Sequence, residues 1–589
     1  MTPADRLPHP PALIPGWLPE ILFLTFTTGA GLWAAGRWVE PLGDPGFAWS
    51  LAYRLGQGEV LYRDLYLAYA PLTPYLLAGL ARVFGSSALS FLLWNWVAAM
   101  VAGLLLLRLS RPFLSLFERV GLAGLIIGFS LLVPGPGRLV FPYYPGVVHA
   151  LSFSLGALLL AGGSAGRLSE SARSWLAGLC GGLAFCCKQE IGLVVLAALG
   201  ASLVLRRKGA VFRAVRIVAG FAAPVALALS VALWSAPLES LRARNHLWPL
   251  DWGSLGDLRH LLRVAAGMAE ENWLFGVSQT AWQFLAQLLL LAVAALLAAR
   301  ERKSATWLPA LLLGAVLVAA WLAQGFRYAP HAPVSLSALA SFLLALLVVV
   351  RAPGERPDHL VAVSMFAGLV GLRTAFSRTV SAPFDGPAHF AATLTWMVLL
   401  CAMIPSLLAP APKAAAHLRR FLSVLICLVG WSAAVAGAQS LRSPMKRAVA
   451  TRQGAIYLSE PHAAFFDRLS REIRPGERAL VIPEINGIDV IFGARSVSPL
   501  LDILPGWLDP ATEKILVRRF HDEPPDVVVL FDRPLEEFGV APFGTGYGRL
   551  LGAWISDHYL PAFSAPAGLV LRRSPDAVQR SAGADRVLP

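Results

Sequence analysis

Long apolar runs alternate with short polar connections over most of this chain. Runs near 18–38, 71–86, 88–107, 119–133, 145–163, 175–205, 217–235, 279–299, 306–323, 332–350, 359–373, 390–410 and 421–438 are continuous enough to form hydrophobic helices. A hydrocarbon core of about 30 Å needs roughly 20 helical residues; the runs at 71–86, 119–133 and 359–373 fall short of that. The pattern predicts about 13 transmembrane helices. Beyond residue 438 it changes character. ERALVIP (477–483) and PPDVVVLF (524–531) are short β-rich runs, and PHAAFFDRLSREI (461–473) has helical spacing. The expected fold is a polytopic α-helical membrane unit over residues 1–438, followed by an aqueous α/β domain over 439–589.

Composition supports the division. The chain is 56% hydrophobic and 15% charged, whereas ordinary soluble domains carry about 25% charged residues. A net charge of +14 would suggest nucleic acid as the partner of a soluble protein. Here the basic residues gather in RRKGAVFRAVR (206–216), RERKS (300–304), RAPGERPDH (351–359) and PKAAAHLRR (412–420). Short basic connections of this kind mark the cytoplasmic side, so no nucleic-acid role is expected. Counting from them places the N-terminus inside, and 43–75, 236–278 and 439–589 outside. RLSRPFLSLFER (108–119) conflicts with the count, because it is basic yet falls outside. The conflict lies within 71–163.

The N-terminal MTPADRLPHPPALIPGWLPE lacks the pattern of a cleaved signal, so the first run is expected to stay as an anchor. All five cysteines lie in apolar runs, without a CxxC pair, which excludes a zinc or disulfide framework. HExxH, GxSxG and P-loop patterns are absent, which removes zinc-protease, hydrolase and nucleotide-motor classes.

The candidate chemistry starts at GDPGFAWSLAYRLGQGEVLYRDLYLAYAPLTPY (43–75). Asp44-Pro45 opens a predicted helix to about Arg54, and an Asp-Pro pair is an ordinary helix start. Yet Asp44 and Asp64 share this connection with Arg54 and Arg63, a set able to deprotonate a hydroxyl and hold a phosphate. The plainer alternative is a surface ion-pair network of little energetic weight. Lys188 and Glu190 fall inside the apolar run 175–205, where an unpaired charge costs about 2.5–3.5 kcal/mol. Lys188 is either a lipid-phosphate contact or a side chain reaching back to the interface. Two positions apart on a helix, the pair does not share a face, which argues against an internal Lys–Glu bridge. Arg327 and His331 in GFRYAPHAP, and Arg373 and Arg378, are further outward cations. His149 and His246 read as structural.

An acid shortly after the first hydrophobic helix, then G-x-V-x-Y-R-D (58–64), Y-x-P-L-x-P-Y (69–75) and Phe84-Gly85-Ser86 resembles the GT-C glycosyltransferases. The branch it is most similar to contains protein O-mannosyltransferases, aminoarabinose transferases and related lipid-sugar-dependent enzymes. The resemblance is best over residues 20–110 and extends to the glycine-rich GLCGGLAFCCKQEIG (178–192). It implies a sugar donor on polyprenyl phosphate, an extracytoplasmic acceptor glycan, lipid or protein, and a bacterial-type cytoplasmic membrane. It further implies inversion by single displacement with Asp44 as general base. Asp64 is the candidate second acid, and Arg54, Arg63, Lys188, Arg327 and His331 the phosphate contacts. Many relatives carry two consecutive acids where this chain has Asp44-Pro45. A divalent metal is compatible with this chemistry and not required by it. The rival classes are a transporter or flippase, which usually shows repeats absent here, and a polysaccharide ligase or polymerase. A non-catalytic scaffold on the same fold is the third.

Overall fold

The computed structural model describes residues 15–236, 362–370 and 412–575, apart from short stretches within them. The expected helices from 279 to 350 and at 390–410, the 236–278 connection beyond Ala236, His246, Arg327, His331, Arg373 and Arg378 lie outside the described residues.

The helical part contains α1 (Leu18–Ala34), α2 (Asp44–Gly56), α3 (Leu72–Phe84), α4 (Ala88–Ser110), α5 (Leu116–Ile126, continued by a π turn at Ile127–Leu131), α6 (Gly146–Ala161), α7 (Glu170–Cys187), α8 (Gln189–Val204), α9 (Ala210–Ser235) and α10 (Pro412–Leu441). Among the described residues, three stretches are long and apolar enough to cross a membrane: Ala88–Ser110, Ala210–Ser235 and Ser423–Leu441. Leu89, Leu93, Val97 and Val101 lie four residues apart along α4 and are all exposed. An outward apolar stripe inverts the arrangement of a water-soluble helix and suits hydrocarbon.

Glycines set how closely these helices approach. A Cβ added to Gly124 would stand 2.8 Å from the Trp431 nitrogen, and one on Gly430 would stand 2.6 Å from the Leu125 nitrogen, so α5 and α10 touch backbone to backbone. Gly178 and Gly182 bring α7 equally close to α9, at Ile217 and Phe221. Small residues allow such contact where no hydrophobic force drives helices together.

Ion pairs identify one end of the bundle. Arg119, itself buried, pairs with Glu20 at 2.8 Å, and Arg111 joins the same carboxylate at 3.1 Å. Glu118 closes a capping box with Ser115 and also takes Arg419 at 2.6 Å. Arg213 reaches the Ala161 carbonyl at 2.9 Å and Glu170 at 3.5 Å. Arg111, Arg119 and Arg419 therefore share the end at which α1 begins, and Arg213 lies where α6 ends and α7 begins.

This arrangement removes the conflict in the sequence count. Both termini of α3 lie at the opposite end: Thr73 meets His149 at the start of α6, while the Ser86 carbonyl accepts Trp49 Nε1–H and Ala88 N–H reaches Gln453. At about 20 Å for 13 residues, α3 lies at that end without crossing. A second correction offsets the first. The run 175–205 is two helices, not one, because Lys188 is extended (φ −153°, ψ 109°) between α7 and α8. Gly181 faces Val195 and Gly192 faces Phe185 across this break, so the two helices fold back on each other with Lys188 at the tip.

After α10 come a hairpin of β1 (Lys446–Thr451) and β2 (Gly454–Ser459), then α11 (Glu460–Glu472), β3 (Arg478–Ile482), α12 (Ile488–Phe492), β4 (Arg495–Ser496), α13 (Pro510–Asp522), β5 (Val527–Phe531), α14 (Arg549–His558), β6 (Tyr559–Ala565) and β7 (Gly568–Arg573). The sheet order is β4-β3-β5-β7-β6, with β4, β3 and β5 parallel and β7 and β6 antiparallel. Phe465, Phe466, Val527 and Val529 pack on one face, and Phe520, Trp554, Leu480 and Val528 on the other, as the alternation of a strand demands. Ties to the helical part begin here: Ser459 N–H donates to Glu40 at 2.6 Å, Lys446 to the Arg37 carbonyl at 3.2 Å, and Tyr66 N–H to the Pro499 carbonyl at 2.9 Å.

Candidate active site

Asp44 is the first residue of α2, and its predecessor Gly43 holds a glycine-type conformation, φ 63° and ψ −136°. That geometry aims Gly43 N–H at Asn486 Oδ1, 2.5 Å away. Asn486 and Gly487 are both left-handed, with φ 50° and 70°. Their backbone lies so close to α2 that a Cβ on Gly46 would fall 2.7 Å from the Asn486 carbonyl carbon. One turn on, Ser50 Oγ–H donates to Asp489 Oδ1 at 2.5 Å; another turn on, Arg54 donates to the Ser498 carbonyl at 2.9 Å. Positions 46, 50 and 54 share one helix face, and that face is laid along segment 486–498.

Two further carboxyls approach Asp44 from the domain. Glu484 and Asp502 sit opposite each other in a β-bridge, supported by Ile485 N–H to Leu501 at 3.0 Å and Ile503 N–H to Pro483 at 2.6 Å. Glu484 pairs with Arg533, and its other oxygen lies 3.5 Å from where a Gly43 Cβ would be. Asp502 Oδ1 is buried without a hydrogen-bond partner. Burial first, then the negative charge of Asp44, push the Asp502 carboxyl well above the usual carboxylate range. Burial also raises Asp489, against the opposing charge of Arg54 and the Ser50 hydrogen bond.

The expected cations have unequal settings. Arg54 is buried and committed to Glu59 at 2.8 Å and to the Ser498 carbonyl, so it ties the connection to the domain instead of facing its mouth. Exposed Arg63 holds Asp64 in a two-pronged pair, and Asp64 Oδ2 also accepts Val60 N–H at 2.8 Å, closing the turn. The Arg63 hydrogen bond is the chief reason that the Asp64 carboxyl lies below its ordinary range.

Lys188 is buried, 2% exposed, with Nζ 3.0 Å from Glu190 and 4.4 Å from the centre of the Tyr69 ring. The helix-face argument against a Lys188–Glu190 bridge fails because residue 188 is not helical; the extended link lets both side chains converge. Tyr69 stacks on Tyr144 at 4.3 Å, and Tyr62 donates its hydroxyl to the Tyr69 carbonyl at 2.7 Å. Tyr62 and Tyr144 in turn pack with Phe47, Ala48 and Leu51 of α2 and with Ile485 and Leu501 of the domain. One apolar cluster thus joins the surroundings of Asp44 to those of Lys188.

Below it, Trp94 Nε1–H donates to His149 Nε2 at 3.1 Å. Indole nitrogen is only a donor, so His149 carries its proton on Nδ1 and donates to Thr73 Oγ1 at 3.1 Å. This supports the structural reading of His149. Among the described residues, no three His, Cys, Asp or Glu side chains are grouped to hold a metal ion.

Sequence reasoning missed Glu484, Asn486, Asp489 and Asp502. The one signal for Glu484, Asn486 and Asp489 is PEINGIDV (483–490), an Asn-Gly turn with acids on both sides between apolar residues; Asp502, in PLLDILP (499–505), has none.

No protein-family model and no curated protein matches this chain. Among solved structures it is similar to the apo oligosaccharyltransferase of Archaeoglobus fulgidus, at 14% identity and a TM-score of 0.43, over 88% of this chain and 70% of that one. The complex of that enzyme with Zn and sulfate gives 12% identity and a TM-score of 0.44, over 87% and 68%. ArnT from Cupriavidus metallidurans bound to undecaprenyl phosphate gives 13% identity and a TM-score of 0.37, over 95% and 99%.

Proposed function

We propose that this chain is an integral-membrane glycosyltransferase that moves a sugar from a polyprenyl-phosphate donor to an acceptor hydroxyl or amine at the domain-bearing end of the bundle. The observation that carries the reading is the fold-back at Lys188. It delivers a buried cation to the same end as Asp44, so the two groups that this chemistry needs are joined through one cluster.

In the reaction, Asp44 accepts the acceptor's proton while the acceptor atom bonds to the anomeric carbon from the face opposite the phosphate. The bond between that carbon and the phosphate oxygen breaks, and the oxygen keeps the electron pair. Inversion follows from a single displacement. Lys188 stabilises the leaving phosphate, which takes the place of Glu190 against the ammonium. Arg327 and His331 are assigned to the same phosphate from sequence, and Arg63 with Asp64 shapes the connection beneath the domain. The positive-inside bias puts this end outside the cytoplasm.

The test is incubation of purified protein with extracted lipid-linked sugars, followed by mass spectrometry of the lipids. Loss of one polyprenyl-phosphate sugar with release of polyprenyl phosphate supports the reading. Unaltered lipids in the presence of acceptor extracts contradict it.

A further inference from the structure

Lys188 stands at the tip of the fold-back between α7 and α8, and a lysine's flexible stem by itself would let the ammonium wander. Tyr62, Tyr69 and Tyr144 restrain it. Tyr62 has a left-handed backbone, φ 69°, which is uncommon for so bulky a residue. Its ring is buried, and its hydroxyl donates to the Tyr69 carbonyl at 2.7 Å, fastening Tyr69 just before α3. Tyr144, also buried, stacks on the Tyr69 ring at 4.3 Å with the planes 22° apart. Gly146 makes room for it: a Cβ there would fall 2.3 Å from the Tyr144 ring and 2.8 Å from the carbonyl of Cys187, the residue before Lys188. The stacked rings are thus wedged against the backbone that carries the lysine. Nζ lies 4.4 Å from the centre of the Tyr69 ring and 5.9 Å from that of Tyr144, within the range of a cation–π contact.

We infer that Tyr69 is the positioning residue of Lys188: its ring, braced by Tyr62 and Tyr144, holds the ammonium at the tip of the fold-back while Glu190 gives way to the phosphate. The phosphate rests on the glycosyltransferase reading; the hold of the ring on the lysine rests on the contacts alone. Glu190, 3.0 Å from Nζ, and a phosphate are rivals, because each attracts the same charge as an anion. A neutral ring differs in kind. Its negative face attracts the cation and leaves the full charge available to another partner. Glu190 keeps the resting ammonium paired, and Tyr69 keeps it in place once the carboxylate has been displaced. A lysine anchored by the carboxylate alone would lose its geometry at the moment the leaving phosphate needs it.

Fluorination of the ring tests the hold, because added fluorine weakens the negative face of an aromatic ring and nearly keeps its shape. The full chain in lipid vesicles is prepared as Tyr69→Phe, as Tyr69→Leu, and with phenylalanines of increasing fluorine content at position 69. The midpoint of thermal unfolding should fall stepwise with fluorine content. The fall should be steeper in Glu190→Gln, where the carboxylate no longer shares the ammonium, and should vanish when Lys188→Met is combined with Glu190→Gln. Release of polyprenyl phosphate from lipid-linked sugars should decline in the same order, by about tenfold from Tyr69→Phe to Tyr69→Leu, the effect of a partly desolvated cation–π contact. A midpoint indifferent to fluorine, or one that falls equally in the double variant, overturns the hold of Tyr69 on Lys188. Turnover indifferent to the series in an otherwise active protein overturns its positioning role. Failure of wild type to consume any lipid-linked sugar counts against the proposed reaction, and the stability series then decides the contact between Tyr69 and Lys188 by itself.

Discussion

Gly46 and Asn486 meet backbone to backbone, so closely that a methyl group on Gly46 would lie 2.7 Å from the Asn486 carbonyl carbon and 2.8 Å from the Gly487 nitrogen. The first turn of α2 is seated on the domain through this contact. Backbone cannot give way as a flexible side chain does.

Gly46→Ala is therefore expected to unseat α2 from segment 486–498. The cost should be about 1–3 kcal/mol, as for forced overpacking. Thermal unfolding measures it, and faster proteolysis between Leu441 and Lys446 would show that the domain has loosened.

The pH dependence of docking follows from Asp489, whose carboxyl is raised above its ordinary value of 3.8. Between the unfolded and folded values the native state holds more protons than the unfolded state, so stability falls as pH rises through that window. This contribution is fully present below the unfolded value and lost above the folded one. Asp489→Asn should flatten that part of the stability–pH curve in denaturant titrations, while Ser50→Ala should move the window upward by removing a bond that favours the ionised form.

Lys188 is buried and pairs with Glu190, whose side chain is 25% exposed. Removing one partner of a fully buried pair costs about 3–5 kcal/mol, and of this half-buried one less, whereas replacing both is often neutral. Glu190→Gln and Lys188→Met are expected to destabilise singly, with stability recovered in the double variant. Sugar transfer should stay absent in the double variant if the ammonium serves the phosphate. A double-mutant cycle with parallel lipid analysis separates the two effects.

The placement of α3 makes a topological prediction. Single cysteines at Gly58, Ser86 and Thr451 should react with a membrane-impermeant thiol reagent from one side, and a cysteine at Arg108 from the other. A crossing at 71–86 would instead put Ser86 on the opposite side from Gly58.

Much of this was legible in sequence because it is local. The start of α2 at Asp44-Pro45, strands β3 and β5 and helix α11 lie where periodicity and capping residues put them. Up to residue 235 two local errors in the run pattern offset each other. Residues 71–86 are apolar enough to suggest a crossing but lie along one end, and 175–205 reads as one run because no proline or glycine marks the extended residue at Lys188. The long-range relationships were not legible. Asn486, Asp489 and Asp502 lie more than 400 residues from Asp44, and what unites them is a backbone contact at Gly46 and a bridge at Glu484, neither of which has a one-dimensional pattern. Arg54 reads as a free cation beside an acid, yet its partners are Glu59 and a carbonyl at Ser498.

The most direct test of the central claim is acceptor-dependent turnover of polyprenyl-phosphate sugars by wild type and Asp44→Asn, reconstituted in the same vesicles and matched for folded protein by thermal unfolding. Wild type should release polyprenyl phosphate, and the variant should lose at least about 100-fold in rate, the lower range for removing a general base. Equal release by both proteins would contradict the assignment of Asp44 as the base.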